Sequence, residues 1–382
     1  MAGKPRLLFV VTEDWYFASH RFELAQAARE AGFEVGLATR VSTWQERIEA
    51  AGIRVFPLRF MRRSSRNPLV ELRAVGELQV LLREWRPDLL HLVAAKPVIY
   101  GGLAARWAGM PRVVGALAGL GHAFASDRAS AQLLRPALLL AYRAALKHPN
   151  VRLIVQNPED ERLVTQQRLV SGNAVRMICG SGVDTGRFVP HEEPNGKPTF
   201  VLAARMLWDK GIGEFVGAAR ELRQRNVAAR FVLVGDTDSE NPAAIPRAQL
   251  LRWQEEGHVE WWGHRSDMPS VLSTAHVACL PSYREGLPKT LLEAASSALP
   301  LVATDVPGCR EIAVHEETGL LVPPRDPASL AEAMQRLAGD ASLRRRLGAA
   351  GRQLVEARFS SNRINEQTVA LYREMMDSCV SP

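Results

Sequence analysis

Short apolar runs and longer amphipathic stretches alternate along the chain. Residues 6–12 (RLLFVVT) read as a buried strand, and 33–38 and 53–57 as the next two strands. Between them, 21–31 carries Phe22, Leu24 and Ala25 on one helical face and closes at Gly32, and 44–51 reads as a second helix ended by Gly52. The alternation continues with strands at 89–93, 112–116 and 151–156. Leu69, Leu72, Val75, Leu78, Leu81 and Leu82 fall at helical spacing, so the stretch before 89 is an amphipathic helix whose stripe belongs to a core. A small-residue helix runs to Trp107, an apolar one spans 132–146, and Asn157-Pro158-Glu159-Asp160 caps another. Strand and helix at this spacing predict a parallel sheet with helices on both faces. The polar segment 191–198 (HEEPNGKP) reads as a linker. Beyond it, strands are expected at 199–204, 231–234, 259–262 and 277–280, with helices at 267–274, 289–297 and two within 327–356.

A length of 382 residues suits two such domains, placed at 1–190 and 196–358. With 47% hydrophobic residues the chain is globular. Cys179, Cys279, Cys309 and Cys379 are scattered, with neither zinc spacing nor a disulfide framework, which favours a reducing compartment. No apolar run reaches the roughly 20 residues of a membrane span, and the N-terminus has no signal-peptide pattern. Charge is uneven. Residues 1–190 hold 26 Lys and Arg against 16 Asp and Glu, a net of +10, and the rest holds 22 against 25, a net of −3. The first half is therefore expected to meet something anionic. Residues 59–86 concentrate this, with seven arginines against three glutamates. The group Arg59, Arg62, Arg63 and Arg66 could hold phosphates or lie on anionic lipid. For the helix at 132–146, core packing and shallow membrane contact both remain open.

The densest candidate chemistry lies at 281–297. Ser282 sits in a turn after the run Val277–Leu280, Glu285, Gly286 and Leu287 follow, and Pro288 stands at the expected first helical position. Glu293 then lies within the first two helical turns. Free N–H groups at such an end attract an anion, Gly286 lets the backbone approach, and two carboxylates accept from hydroxyls. That combination suits a sugar nucleotide. The two glutamates would serve equally as solvated charges near a helix N-terminus. A second cluster follows the strand at 199–204, where Arg205 and Lys210 flank a strand-to-helix turn. Arg offers a bidentate fork for phosphate oxygens and Lys a compact charge, so both can point at one diphosphate. Asp236-x-Asp238 mimics a metal-binding DxD, but three residues are a weak signal and the cations already supply the charge, so no metal is expected. In the first half, the segment 12–21 reads as a loop, not a GxGxxG turn. It ends in His20-Arg21 at the carboxyl edge of the sheet, where open α/β folds bind ligands. The glycine-rich loop Gly119-Leu120-Gly121-His122 follows another strand.

The run PSYREGLPKTLLEA, with Glu285-x7-Glu293, and its continuation LPLVATDVPGCREI…TGLLVPP resemble the signature of family 4 of the retaining glycosyltransferases. Ser297-Ala298 stands where that family often has Cys-Gly, a packing change. The resemblance covers essentially the whole chain and is strongest from Gly180 to Pro324. It implies an α/β chain of the GT-B kind, two Rossmann-like domains with parallel sheets facing across a cleft, and a final helix at 360–376, in the segment 360–382, packing back on the first. It also implies a UDP-sugar donor in the second domain, with Glu293 on the ribose hydroxyls, the Glu285–Leu287 loop on the sugar, and Arg265 in a loop by the base. Arg205 and Lys210 would neutralise the leaving diphosphate, with retention of configuration and neither cofactor nor metal. His20-Arg21 resembles a pair in capsule and O-antigen members. GLGHAF resembles the GLG-aromatic loop of polysaccharide-building members. Many of those carry a histidine where Ala118 stands here, so His122 is a candidate for that catalytic place, or else a structural or acceptor-lining residue. Residues 241–245 (NPAAI) resemble a segment of bacterial N-acetylhexosaminyl transferases. The acceptor implied is a polyprenyl-diphosphate-linked saccharide, met by a cytoplasmic protein peripheral to the inner face of the membrane. Two other classes stay open: a sugar-nucleotide 2-epimerase of the same fold, and a non-catalytic nucleic-acid binder suggested only by a pI near 9.5. Against the latter, the basic residues lack aromatic interleaving, so no nucleic-acid partner is expected.

Overall fold

A computed structural model describes residues 3–63, 67–117 and 129–377, apart from the side chains of 129–134. The chain divides into two units, residues 1–181 with 363–382, and 182–362.

Among its described residues the first unit holds seven strands: β1 (Arg6–Glu13), β2 (Glu34–Arg40), β3 (Arg54–Pro57), β4 (Leu89–Val93), β5 (Val113–Ala116), β6 (Val151–Val155) and β7 (Val175–Met177). They form one parallel sheet in the order β3-β2-β1-β4-β5-β6-β7. Side chains alternate across a strand, and both faces of this sheet are covered. Leu8, Val10, Leu90 and Leu92 enter one apolar layer, while Leu7, Phe9, Leu89 and Val93 enter the other. Helix α1 (Asp14–His20) and helix α2 (Phe22–Glu30) follow β1. The segment expected as a loop is thus largely helical. Asp14, fully buried at the start of α1, explains this. Its carboxylate accepts from the N–H of Ser42 at 2.6 Å and of Trp44 at 3.1 Å, which fastens the turn to the loop after β2.

Three further helices are α3 (Gln45–Ala50), α4 (Pro68–Trp85) and α5 (Ala95–Ala108). Val75, Leu78, Leu82 and Trp85 of α4 are buried. Leu69 and Leu72 are exposed at 67% and 63%, so the stripe read as core begins only at Val75. Helix α6 (Ala129–Leu146) buries Tyr142, Ala145 and Leu146 and leaves Leu140 exposed. The first unit also contains α7 (Pro158–Gln166). The terminal helix, Ser361–Asp377, contributes Ile364, Leu371, Tyr372 and Met375 to the second apolar layer. Arg112 donates to its Met375 carbonyl at 2.6 Å, and Arg176 meets Glu374 at 2.7 Å.

The second unit repeats the plan with β8 (Thr199–Ala203), β9 (Arg230–Val234), β10 (Glu260–Trp261), β11 (Val277–Leu280), β12 (Leu301–Thr304) and β13 (Gly319–Val322). The order β10-β9-β8-β11-β12-β13 is again parallel throughout. Its helices are α8 (Ile212–Gln224), α9 (Arg247–Glu255), α10 (Met268–Ser273), α11 (Lys289–Ser296), α12 (Pro327–Gly339) and α13 (Ala341–Arg358), which makes the terminal helix α14. Phe200, Leu202, Phe231 and Leu233 pack with Phe215 of α8 and Leu330 of α12. No helix among the described residues is long and apolar enough to cross a membrane.

Candidate active site

In each sheet the order of connection reverses between its first and fourth strand in sequence. Open α/β sheets bind ligands beyond the carboxyl ends of the strands at such a point. In the second unit the reversal falls between β8 and β11, whose residues Phe200 and Val277 are register partners. Arg205 follows β8 and Ser282 follows β11, so the two clusters far apart in sequence come from adjacent turns.

These turns interlock through the backbone. Gly211 has φ +71, and a Cβ there would sit 2.1 Å from the carbonyl oxygen of Pro281, so only glycine fits. The N–H of Tyr283 donates to the Asp209 carbonyl at 3.0 Å. Above this junction Lys210 Nζ lies 2.5 Å from Glu285 Oε1, and Ser282 Oγ donates to the same oxygen at 2.6 Å. Thr304 Oγ1 donates to the Ser282 carbonyl. Gly308 fixes the other side of the loop, since a Cβ there would meet the Gly286 carbonyl oxygen at 2.3 Å. Tyr283 donates its hydroxyl to Glu214 at 2.6 Å and carries the Arg325 guanidinium over its ring at 4.7 Å.

Arg205 is placed differently. Its Nη1 pairs with Asp238 at 2.7 Å, on the loop after β9. The two cations therefore share the carboxyl end of β8 but occupy separate ion pairs. Asp238, weighed as half of a metal motif, accepts a guanidinium. Among the described residues no group of three His, Cys, Asp or Glu side chains could hold a metal ion. Residues 241–245 are hydrogen-bonded to the same turn, Trp208 N–H to Ala243 O and Ile245 N–H to Met206 O, both at 2.9 Å. Sequence reasoning found this segment only by resemblance and missed the contact.

Pro288 caps α11 in an extended conformation, with Lys289 the first helical residue, one position later than expected. Leu287 and Gly286 are half-buried. Glu293, in the second turn, is buried, and burial raises its carboxyl pKa to about 7 against the opposing pull of Lys289 and Arg187. Lys289 Nζ lies 3.9 Å from it. The charge of Arg187 at Glu293 had no signature in the sequence. Arg265 lies over the Trp262 ring at 6.0 Å, beside β10.

In the first unit His20 ends α1, stacked on Tyr16 with centroids 4.2 Å apart, and Arg21 is the cap between α1 and α2. Arg21 is buried, donating to the carbonyls of His20 and Gly180. Arg59 and Arg62 are exposed, and Arg63 lies over the Trp15 ring at 5.7 Å. The Arg62 carbonyl accepts from Lys96, which also pairs with Glu71 at 2.9 Å. His122 and Arg66 lie outside the described residues.

Two family models match the chain, glycosyl transferase 4-like over residues 6–157 and glycosyl transferases group 1 over 197–340. The chain is a glycosyltransferase of the GT-B fold. The enzyme is 27% identical over 365 residues, 92% of its own chain and 94% of the other, to the N,N'-diacetylbacillosaminyl-diphospho-undecaprenol alpha-1,3-N-acetylgalactosaminyltransferase of Campylobacter jejuni. Sucrose-phosphate synthase from Thermosynechococcus elongatus matches its fold with a TM-score of 0.82 at 22% identity, covering 98% of this glycosyltransferase and 100% of that chain. HepE of Anabaena, in complex with UDP-glucose, matches with a TM-score of 0.74 at 18% identity over 97% and 99% of the two chains.

Proposed function

We propose that this glycosyltransferase moves a sugar, an N-acetylhexosamine, from a UDP-sugar to a polyprenyl-diphosphate-linked saccharide, with retention of configuration and without a metal. The observation that carries the reading is the Lys210–Glu285 pair at the reversal point of the second sheet. A cation fixed there by interlocked turns meets a leaving diphosphate, as in electrostatic stabilisation of developing charge. Glu285, Gly286 and Leu287 then serve the sugar, Ser282 holds Glu285, and Glu293 accepts the ribose hydroxyls. Arg265, beside β10, is assigned to the nucleotide base. The lipid-linked acceptor and the N-acetylhexosamine are suggested by the name of the Campylobacter relative, and the UDP-sugar by the ligand of HepE. Incubation with a panel of UDP-sugars and a synthetic lipid-diphosphate saccharide tests the reading directly. Turnover of donor with no acceptor present would favour the epimerase instead.

Arg205 reaches the diphosphate by leaving Asp238. That pair is half-exposed on the arginine side, so it holds Arg205 by about 1 kcal/mol or less. Asp238→Asn is therefore expected to lower the donor KM by up to about fivefold, measured by initial rates at fixed acceptor. A raised KM would mean that Asp238 aims Arg205 rather than competing for it.

His20 is assigned to the acceptor, at the carboxyl edge of the first sheet, and Arg59, Arg62 and Arg63 to an anionic membrane surface. Replacing these three arginines by Ser is expected to abolish flotation with anionic vesicles while leaving turnover on a water-soluble acceptor unchanged. Flotation that ignores both lipid charge and the substitutions removes the assignment.

A further inference from the structure

Glu214 is an acidic side chain that the proposed reaction leaves without a role, and it stands beside residues that have one. It lies in the first turn of α8, the helix that Gly211 caps. The free N–H groups of a helix end favour a carboxylate there. Its Oε1 accepts the Tyr283 hydroxyl at 2.6 Å, whereas its Oε2 is buried without a hydrogen-bond partner. A carboxylate oxygen left unmet in that way costs stability.

Tyr283 reaches the neighbouring turn twice. Its N–H donates to the Asp209 carbonyl at 3.0 Å, and its hydroxyl donates to Glu214. Lys210 is enclosed between those two points, so one residue of the turn after β11 grips both ends of the segment 209–214. Glu285, the partner of Lys210, belongs to the same turn as Tyr283. The Arg325 guanidinium, from the loop after β13, lies over the Tyr283 ring at 4.7 Å and confines it. Burial and the adjoining Glu214 raise the phenol pKa, so the hydroxyl remains a donor. The contacts at Asp209 and Gly211 fix where the Lys210 turn lies. A third point at Glu214 fixes its tilt, and with it the place of the Lys210 side chain.

We propose that Tyr283 and Glu214 form a positioning pair that sets Lys210 Nζ against the departing diphosphate. Both act through Lys210 and neither touches the substrate. The proposal rests on the reading of Lys210 given above. A cation stabilises developing charge only as well as it is preorganised, and a misplacement on the order of 1 Å can cost about a hundredfold in rate. Loss of the hydroxyl bond frees the tilt but leaves the turn in place, so a smaller factor is expected.

Tyr283→Phe keeps the ring, its contact with Arg325 and the N–H bond to Asp209, and removes only the hydroxyl. Its kcat is expected to fall about tenfold, with donor KM within about twofold and the thermal midpoint within a few degrees. Glu214→Ala is expected to match it, and the double variant to lose no more than either alone. The deciding measurement pairs Tyr283→Phe with Lys210→Ala. In that background the loss of the hydroxyl is expected to change kcat by less than about twofold, because the group it positions is gone. A loss that persists undiminished there overturns the proposal, since Tyr283 then acts apart from Lys210. Wild-type kcat in Tyr283→Phe overturns it too, as does a midpoint that falls in step with activity. These failures leave the reading of Lys210 standing. Lys210→Ala that keeps its turnover removes that reading and the positioning pair together.

Discussion

Lys210→Ala is expected to lower turnover by roughly two to three orders of magnitude, the range seen when one preorganised donor to a developing oxyanion is removed. Thermal stability should change little. The ion pair is partly exposed on both sides, and Glu285 keeps its hydrogen bond from Ser282, so the loss is on the order of 1 kcal/mol and a few degrees in midpoint. The turn itself is held by backbone contacts, Gly211 against Pro281 and Tyr283 to Asp209, which the substitution leaves intact. Turnover and melting are measured on the same preparation. If Lys210 acts on charge that grows in the transition state, kcat falls while donor KM moves far less. If the lysine stem only packs against the loop, Lys210→Met, which keeps most of the apolar stem without the charge, restores most of the rate. Activity and stability falling in proportion would remove the catalytic role.

The alternation of strand and helix was legible because it rests on local periodicity. Strands β1, β4 and β11 and helix α11 fall within two residues of where the pattern places them, and α14 within one residue of where the resemblance does. Helix α1 was not legible. DWYFASH shows no clear amphipathic period, and its helix depends on Asp14 meeting the backbone of residues 42 and 44. The exposed end of α4 escaped for the opposite reason. Leu69 and Leu72 keep the helical period, but period alone does not reveal which turns of a helix find a partner. At the site, spacing and resemblance selected Lys210 and Glu285, and their adjacency follows from the neighbouring positions of β8 and β11. The partner of Arg205 did not follow. Asp238 comes from a third turn, and only the placement of β9 beside β8 brings it within reach. The burial of Arg21 was not legible in its local sequence. Its burial comes from residues 180–181 and from α14, which are far from it in sequence.

Glu293→Gln is expected to stabilise the protein at pH 8 and to weaken donor binding. Burial raises the folded-state pKa to about 7, above the ordinary carboxyl value of 4.5. The folded state therefore binds the extra proton between these values, and stability falls as pH rises through that window. The contribution is complete below the unfolded pKa and lost above the folded one. At pH 8 the wild type carries a buried carboxylate that costs on the order of 1–3 kcal/mol, and the variant's amide, isosteric with the protonated acid, does not. Urea unfolding at pH 5 and pH 8 is expected to show the variant gaining only at the higher pH. Donor binding works in the opposite sense. Hydroxyls donating to the carboxylate favour its charged form, so the donor KM of the wild type is expected to fall about tenfold from pH 6 to pH 8, with a midpoint near 7. In the variant KM is higher at pH 8 and flat across the range. A destabilising protein position held for its chemistry predicts this opposition of stability and affinity. A donor KM in the wild type that ignores pH, or a variant less stable at pH 8, would place Glu293 among the supports of α11 and detach it from the ribose.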